Sequence, residues 1–174
     1  MTHPDAALQT DTGHWRQQTL QAGLDLLDQG LTVFDADLKL VAWNRAFLQL
    51  LDFPADLAFV GASFESFIRY NAQRGEYGED DIDAAVAARV DKAREFVPHD
   101  IERVRPDGSV LRITGQPLPG HGFVTLYSDV TEQRRAEQAL RQANTELESR
   151  VLARTAELQA SNQRLREALE ANEQ

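Results

Sequence analysis

Residues 132–174 contain no glycine, no proline and no aromatic residue. That stretch is dominated by Ala, Leu, Glu, Gln, Arg and Asn, and most of these are strong helix formers. A helix over 132–174 would run about 65 Å, longer than a small globule is wide, so it must project. Every residue that punctuates a chain or fills an aromatic core lies in 1–131. The 174 residues therefore read as one globular domain followed by a rod.

Charge narrows the partners. Eighteen basic and 28 acidic residues leave a net charge of −10. Such a chain is poorly suited to neutralising nucleic-acid phosphates or an anionic membrane surface. Cysteine is absent, which excludes disulfides, thiolate metal sites, iron–sulfur clusters and cysteine nucleophiles. No apolar run approaches the roughly 20 residues needed to span a bilayer. The N-terminus MTHPDAALQTDTGHW is polar and acidic, unlike a secretory signal. The expectation is a cytoplasmic protein with neither nucleic acid nor membrane as partner.

Along the chain, residues 1–14 read as a disordered tail. WRQQTLQAGLDLLDQG follows, with Leu20, Leu24 and Leu27 at helical spacing and Gly30 placed as a stop. This predicts an amphipathic helix over 15–29. LTVFDADLKLVAWN reads as a hairpin with Asp35-Ala36-Asp37 at its turn. Helices are expected over 45–53, stopped by Pro54, over 63–75, and over 79–97 with Glu79, Asp80 and Asp81 in the first turn. After Pro98 the period changes to 2. Asp107-Gly108 marks one hairpin turn and Pro119-Gly120-His121-Gly122 another. Two strands, three helices and three strands predict an α+β fold: a five-stranded antiparallel sheet with helices on one face.

LTVFDADLKLVAWNRAF (31–47), RPDGSVLRI (105–113) and GFVTLYSDVTEQRRAEQAL (122–140) together resemble a PAS domain. The resemblance covers roughly 15–140 in order and spacing. Asp129-Val130-Thr131 is similar to the triplet with which PAS domains end and enter a signalling helix. Residues 143–170 resemble the linker helix of sensory, often hybrid, histidine kinases, and IRYNAQRGEYG (68–78) resembles one PAS subgroup from them. No phosphoacceptor helix or ATP-binding glycine box follows, and the chain stops in mid-helix without a cap. This predicts a piece of a longer kinase, with a tail over 1–14, a PAS domain with its flanking helix over 15–131 and a coiled coil over 132–174.

With Leu140 at heptad position d, the d series continues through Leu147, Arg154, Ser161 and Ala168. The a series is Asn144, Val151, Leu158, Leu165 and Asn172. The seam, carried by Leu140, Asn144, Leu147, Val151, Leu158 and Leu165, is real but polar in places. Asn at a favours a two-stranded, in-register pairing at a cost in stability. The expectation is a homodimer through the coiled coil and through Leu20, Leu24 and Leu27. A weakly committed seam also suits a rod that switches between arrangements a few kcal/mol apart. Asp129 and Glu132 fit a D-x-x-E capping box at the start of the rod.

The resemblance places any pocket between the sheet and the middle helices. Its wall would include Val33, Trp43, Phe47, Phe64, Ile68, Tyr70, Ile113, Thr125 and Tyr127, with Arg69, Tyr70, Asn71, Thr114 and Gln116 as possible polar anchors. A filled core is the plainer reading of the same apolar residues. No cofactor is expected. A cysteinyl flavin adduct is excluded by the absence of Cys, and haem is disfavoured because helix 79–97 carries no His. No metal-ligand spacing occurs, and Asp35-Ala36-Asp37 is better explained by its turn. HExxH, GxSxG, Walker and GxGxxG patterns are absent, so no chemistry of its own is expected of this stretch. The acidic run 76–102 reads as a solvated helix face. The implied function is a sensory, signal-transducing and dimerising module acting on a histidine-kinase domain in cis. The alternatives are an interaction module without ligand, or the input domain of a cyclic-dinucleotide enzyme or transcription regulator.

Overall fold

The computed structural model describes residues 5–78, 80–120 and 122–172. Residues 1–4 of the expected tail, Glu79, His121 and the last two residues of the expected rod lie outside them. The chain divides into two compact units, 1–131 and 132–174.

The first unit begins with α1, Asp5–Leu24. The expected tail is thus helical from Asp5. Its polarity does not oppose a solvated helix, and Ala6, Ala7, Leu8 and Gln9 favour one. Of the leucines expected on its apolar face, Leu20 is 64% exposed and Leu24 is half-buried. The helix also ends at Leu24 rather than running to Gly30. There the Asn44 amide donates to the Leu24 carbonyl (3.0 Å), and Asp25 accepts from the Arg45 N–H (2.7 Å). Leu27 falls beyond the helix.

Five strands follow the expected order: β1 (Gly30–Phe34), β2 (Leu40–Trp43), β3 (His99–Val104), β4 (Val110–Leu118) and β5 (Gly122–Asp129). They form one antiparallel sheet in the order β2-β1-β5-β4-β3. The first strand therefore lies beside the last, with Thr32 opposite Thr125. In β1 the buried residues are Gly30, Thr32 and Phe34, while Leu31 and Val33 are only half-buried. Val33 is accordingly not a pocket residue, because a strand alternates faces and the pairing with β5 turns Thr32 inward.

In the β1–β2 turn, Asp35 accepts from the N–H groups of Asp37 (3.0 Å) and Lys39 (2.8 Å). This is the turn chemistry expected of Asp35-Ala36-Asp37. Leu38 in the same turn has φ 58° and is buried.

Between β2 and β3 come α2 (Arg45–Leu51), a 3-10 turn (Ala55–Leu57), α3 (Phe64–Gln73) and α4 (Ile82–Ala93). Asn44, Ser63 and Asp81 cap the three α-helices through their side chains. Asp81 is thus the cap of α4 rather than a first-turn residue, and the acid in that first turn is Asp83. The helices and the sheet share a core around Phe34, Leu40, Phe47, Phe67, Val86 and Phe123. Phe34 stacks on Phe123 (5.4 Å) and meets Phe64 edge-on (5.2 Å). Fully burying such a side chain contributes roughly 1.5–3 kcal/mol.

The second unit is the continuation of α5, Thr131–Asn172, a helix of 42 residues.

Candidate ligand cavity and helix junction

Between α2, α3, α4 and the sheet is a partly open cavity of about 260 Å³. Of the residues expected around a pocket, Phe47, Phe64, Ile68, Ile113, Thr125 and Tyr127 line it, as do the polar candidates Asn71 and Gln116. Trp43 and Tyr70 are not in the wall. Trp43 ends an edge strand and packs on the flank of the core. Tyr70 meets Phe53 edge-on (5.7 Å) and lies 4.7 Å beneath the Arg74 guanidinium. Arg69 is tied to Glu65 (2.9 Å) and Asp83 (2.6 Å), and Thr114 donates to Asp100 (3.2 Å), so neither anchors the cavity.

The sequence reading missed a cationic part of the wall: Arg89, Lys92 and Arg103 line the cavity with His99 and Tyr77. The Arg89 and Arg103 guanidinium carbons lie 3.7 and 5.0 Å from the Tyr77 ring centre. His99 sits directly over Gly115, its partner across β3 and β4. A methyl group there would come within 2.1 Å of the imidazole. Exposed Val97 and Ile101 form part of the wall and mark its open side.

Behind Arg103 lies Glu76, buried despite belonging to the acidic run expected to be solvated. It accepts from Arg105 Nη2 (2.6 Å) and Nε (3.1 Å), with Arg74 and Arg103 each at 3.6 Å. One carboxylate thus serves three guanidinium groups. Burial works against its ionisation, but the Arg105 hydrogen bonds and charge, with the charges of Arg103 and Arg74, outweigh burial. They hold Glu76 below its ordinary 4.5. Burial pushes the Tyr127 phenol up to about 12, so it remains a neutral donor.

At the end of β5, Asp129 accepts from the backbone N–H (2.9 Å) and hydroxyl (2.5 Å) of Thr131. The Thr131 hydroxyl oxygen accepts from Val110 N–H (2.8 Å), and Val130 N–H donates to the Val110 carbonyl (2.9 Å). Val130 and Thr131 are both buried. The expected capping box is replaced by a turn closed by Asp129 two residues on, because α5 begins at Thr131 and the Glu132 carboxylate instead accepts from Arg135 (2.7 Å).

Within α5, Leu140, Leu147, Val151, Leu158 and Leu165 are all exposed, as is Asn144. Leu152 and Leu169 are exposed too. Ion pairs such as Arg141–Glu137 (2.5 Å) and Arg150–Glu146 (2.6 Å) support the helix along its length.

Residues 24–138 match the family model described as the PAS fold. The chain belongs to the PAS family. None of the curated proteins compared with this PAS chain matches it. Among solved structures, it is similar to the PAS domain from Bordetella pertussis BvgS, with a TM-score of 0.48 and 16% identity over 75% of this chain and 98% of that one. A domain of a sensory box sensor histidine kinase/response regulator from Geobacter sulfurreducens gives 0.41 and 16%, covering 67% and 96%. The phage VqmA–DPO complex gives 0.47 and 15%, covering 77% and 62%. Among the described residues, no helix is long and apolar enough to cross a membrane, and no cluster of His, Asp and Glu could hold a metal ion.

Proposed function

We propose that this PAS chain is a sensory and dimerising module of a two-component histidine kinase, acting on a kinase domain in cis. A change in the PAS core passes through Asp129, Val130 and Thr131 into a paired α5, whose altered arrangement sets the kinase output. The observation that carries this reading is the Val110–Thr131 hydrogen bond. It ties the first residue of α5 to the start of β4, the strand that also brings Ile113 to the cavity wall. A displacement of β4 therefore acts on the origin of the helix. The exposed leucines of α5 supply the seam for a second copy, since an isolated helix face of this kind is stabilised by a partner.

Sedimentation velocity at micromolar concentration is expected to give a dimer. Val151→Cys is expected to form a symmetric disulfide, with no background because the chain has no native cysteine. In the full-length protein, Thr131→Val should alter kinase output more than it alters the unfolding midpoint. A monomer at all concentrations, or equal loss of output and stability, would overturn the reading.

A further inference from the structure

The wall of the PAS cavity is apolar and aromatic over most of its area, yet it carries Arg89, Lys92 and Arg103 and, among the described residues, no Asp or Glu. That is the reverse of the chain as a whole, whose net charge is −10. Arg103 is the informative cation. Its side chain is only 19% exposed, and its Nε is buried without a hydrogen-bond partner. The nearest anion, Glu76, stands 3.6 Å away and is held at hydrogen-bond distance by Arg105 instead. A largely buried guanidinium whose nearest carboxylate is claimed by Arg105 is short of anionic partners, and burial strengthens the bond that an anion on its cavity side would make.

Size and shape restrict that anion. A dry apolar cavity of about 150 Å³ holds benzene, so 260 Å³ admits one ring with a short acidic arm. Phe34, Phe64, Phe67 and Phe123 offer ring faces and edges to an aromatic body. The planar fork of Arg103 suits a carboxylate.

We infer that the PAS cavity binds a small aromatic monocarboxylate, with its ring among the phenylalanines and its carboxylate on Arg103. The inference rests on the sensory reading above and names the chemical class of its ligand.

The test is isothermal titration of the full chain with 3-phenylpropionate, 3-phenylpropanamide, 3-phenylpropylamine and inorganic phosphate. The carboxylate should bind at least about tenfold more tightly than the amide, which is the scale of one charge-assisted hydrogen bond. The amine and phosphate should give no saturable heat. Arg103→Gln should abolish the preference for carboxylate over amide while the amide still binds, which also reports that the variant is folded. Arg103→Lys retains the charge and should keep part of the preference if the glutamine variant fails to fold. Equal binding of acid and amide, no binding of either, or an undiminished preference in Arg103→Gln would overturn the inference. Sedimentation of the same samples separates the two readings. A dimer without carboxylate preference overturns the ligand class alone, and a monomer that prefers the carboxylate overturns the transmission reading alone.

Discussion

Arg105 grips Glu76 through Nη2 (2.6 Å) and Nε (3.1 Å), joining a strand end to a loop residue 29 positions earlier. Both side chains are largely removed from water. Removing one member leaves an uncompensated charge, which is more costly than never having buried the pair. Glu76→Ala should lower stability by about 3–5 kcal/mol in urea unfolding. Arg105→Ala should cost a similar amount, and the double variant less than the sum of the two.

The same carboxylate predicts an acid limb of the stability curve. Its pKa is lowered in the folded state from the ordinary 4.5. Its stabilisation is therefore complete above about pH 4.5 and is lost as pH falls through the lower folded value. Asp129, held below its ordinary 3.8 by Thr131, acts in the same direction further down. Unfolding midpoints followed from pH 7 to pH 3 should drop below pH 4.5, and Glu76→Gln should flatten the first part of that drop.

Asn44 is fully buried and uses its whole amide. Its oxygen accepts from Leu31 N–H (2.8 Å) and Phe47 N–H (3.1 Å), and its nitrogen donates to the carbonyls of Leu24 (3.0 Å) and Gln29 (2.8 Å). Asn44→Ala should cost about 3 kcal/mol, since it orphans several buried groups at once. Asn44→Asp keeps the acceptor and loses the donor. Its stability should recover as pH falls and the carboxyl gains a proton, a trend opposite to that of the parent chain.

Gly122 has φ +95°, and a Cβ there would sit 2.0 Å from the Phe34 carbonyl oxygen. Gly108 has φ +83° with open space around it. Gly108→Ala should cost about 1–2 kcal/mol, the strain of a left-handed backbone alone. Gly122→Ala should cost clearly more, because backbone must shift as well. Paired thermal melts of the two variants check the difference.

The strand and helix order was legible because this chain marks its turns with Asp35-Ala36-Asp37, Pro54, Asp107-Gly108 and Gly122, and because the apolar period changes after Pro98. The phase of β1 was not. Leu31, Thr32, Val33 and Phe34 are all acceptable strand residues, and only the pairing with β5 decides that Thr32 points inward. Six of the nine residues expected around a pocket line the cavity; Val33, Trp43 and Tyr70 do not. The cationic wall escaped because Glu76 opens an acidic run, and a local pattern of that kind reads as solvated. Its partners Arg103, on β3, and Arg105, just after it, are brought to it by tertiary folding. The first turns of α1 were misread because a polar helix and a polar tail share one composition.

Leu38 sets one limit on redesign of the first hairpin. Its left-handed backbone costs a non-glycine residue about 1–2 kcal/mol, while burying a leucine contributes about 1.5–3 kcal/mol. Side-chain anchorage outweighs backbone comfort there. An idealised Asn-Gly turn grafted onto the loop would ease the main chain yet leave a hole beneath it, so the less regular loop is the better fit to this domain.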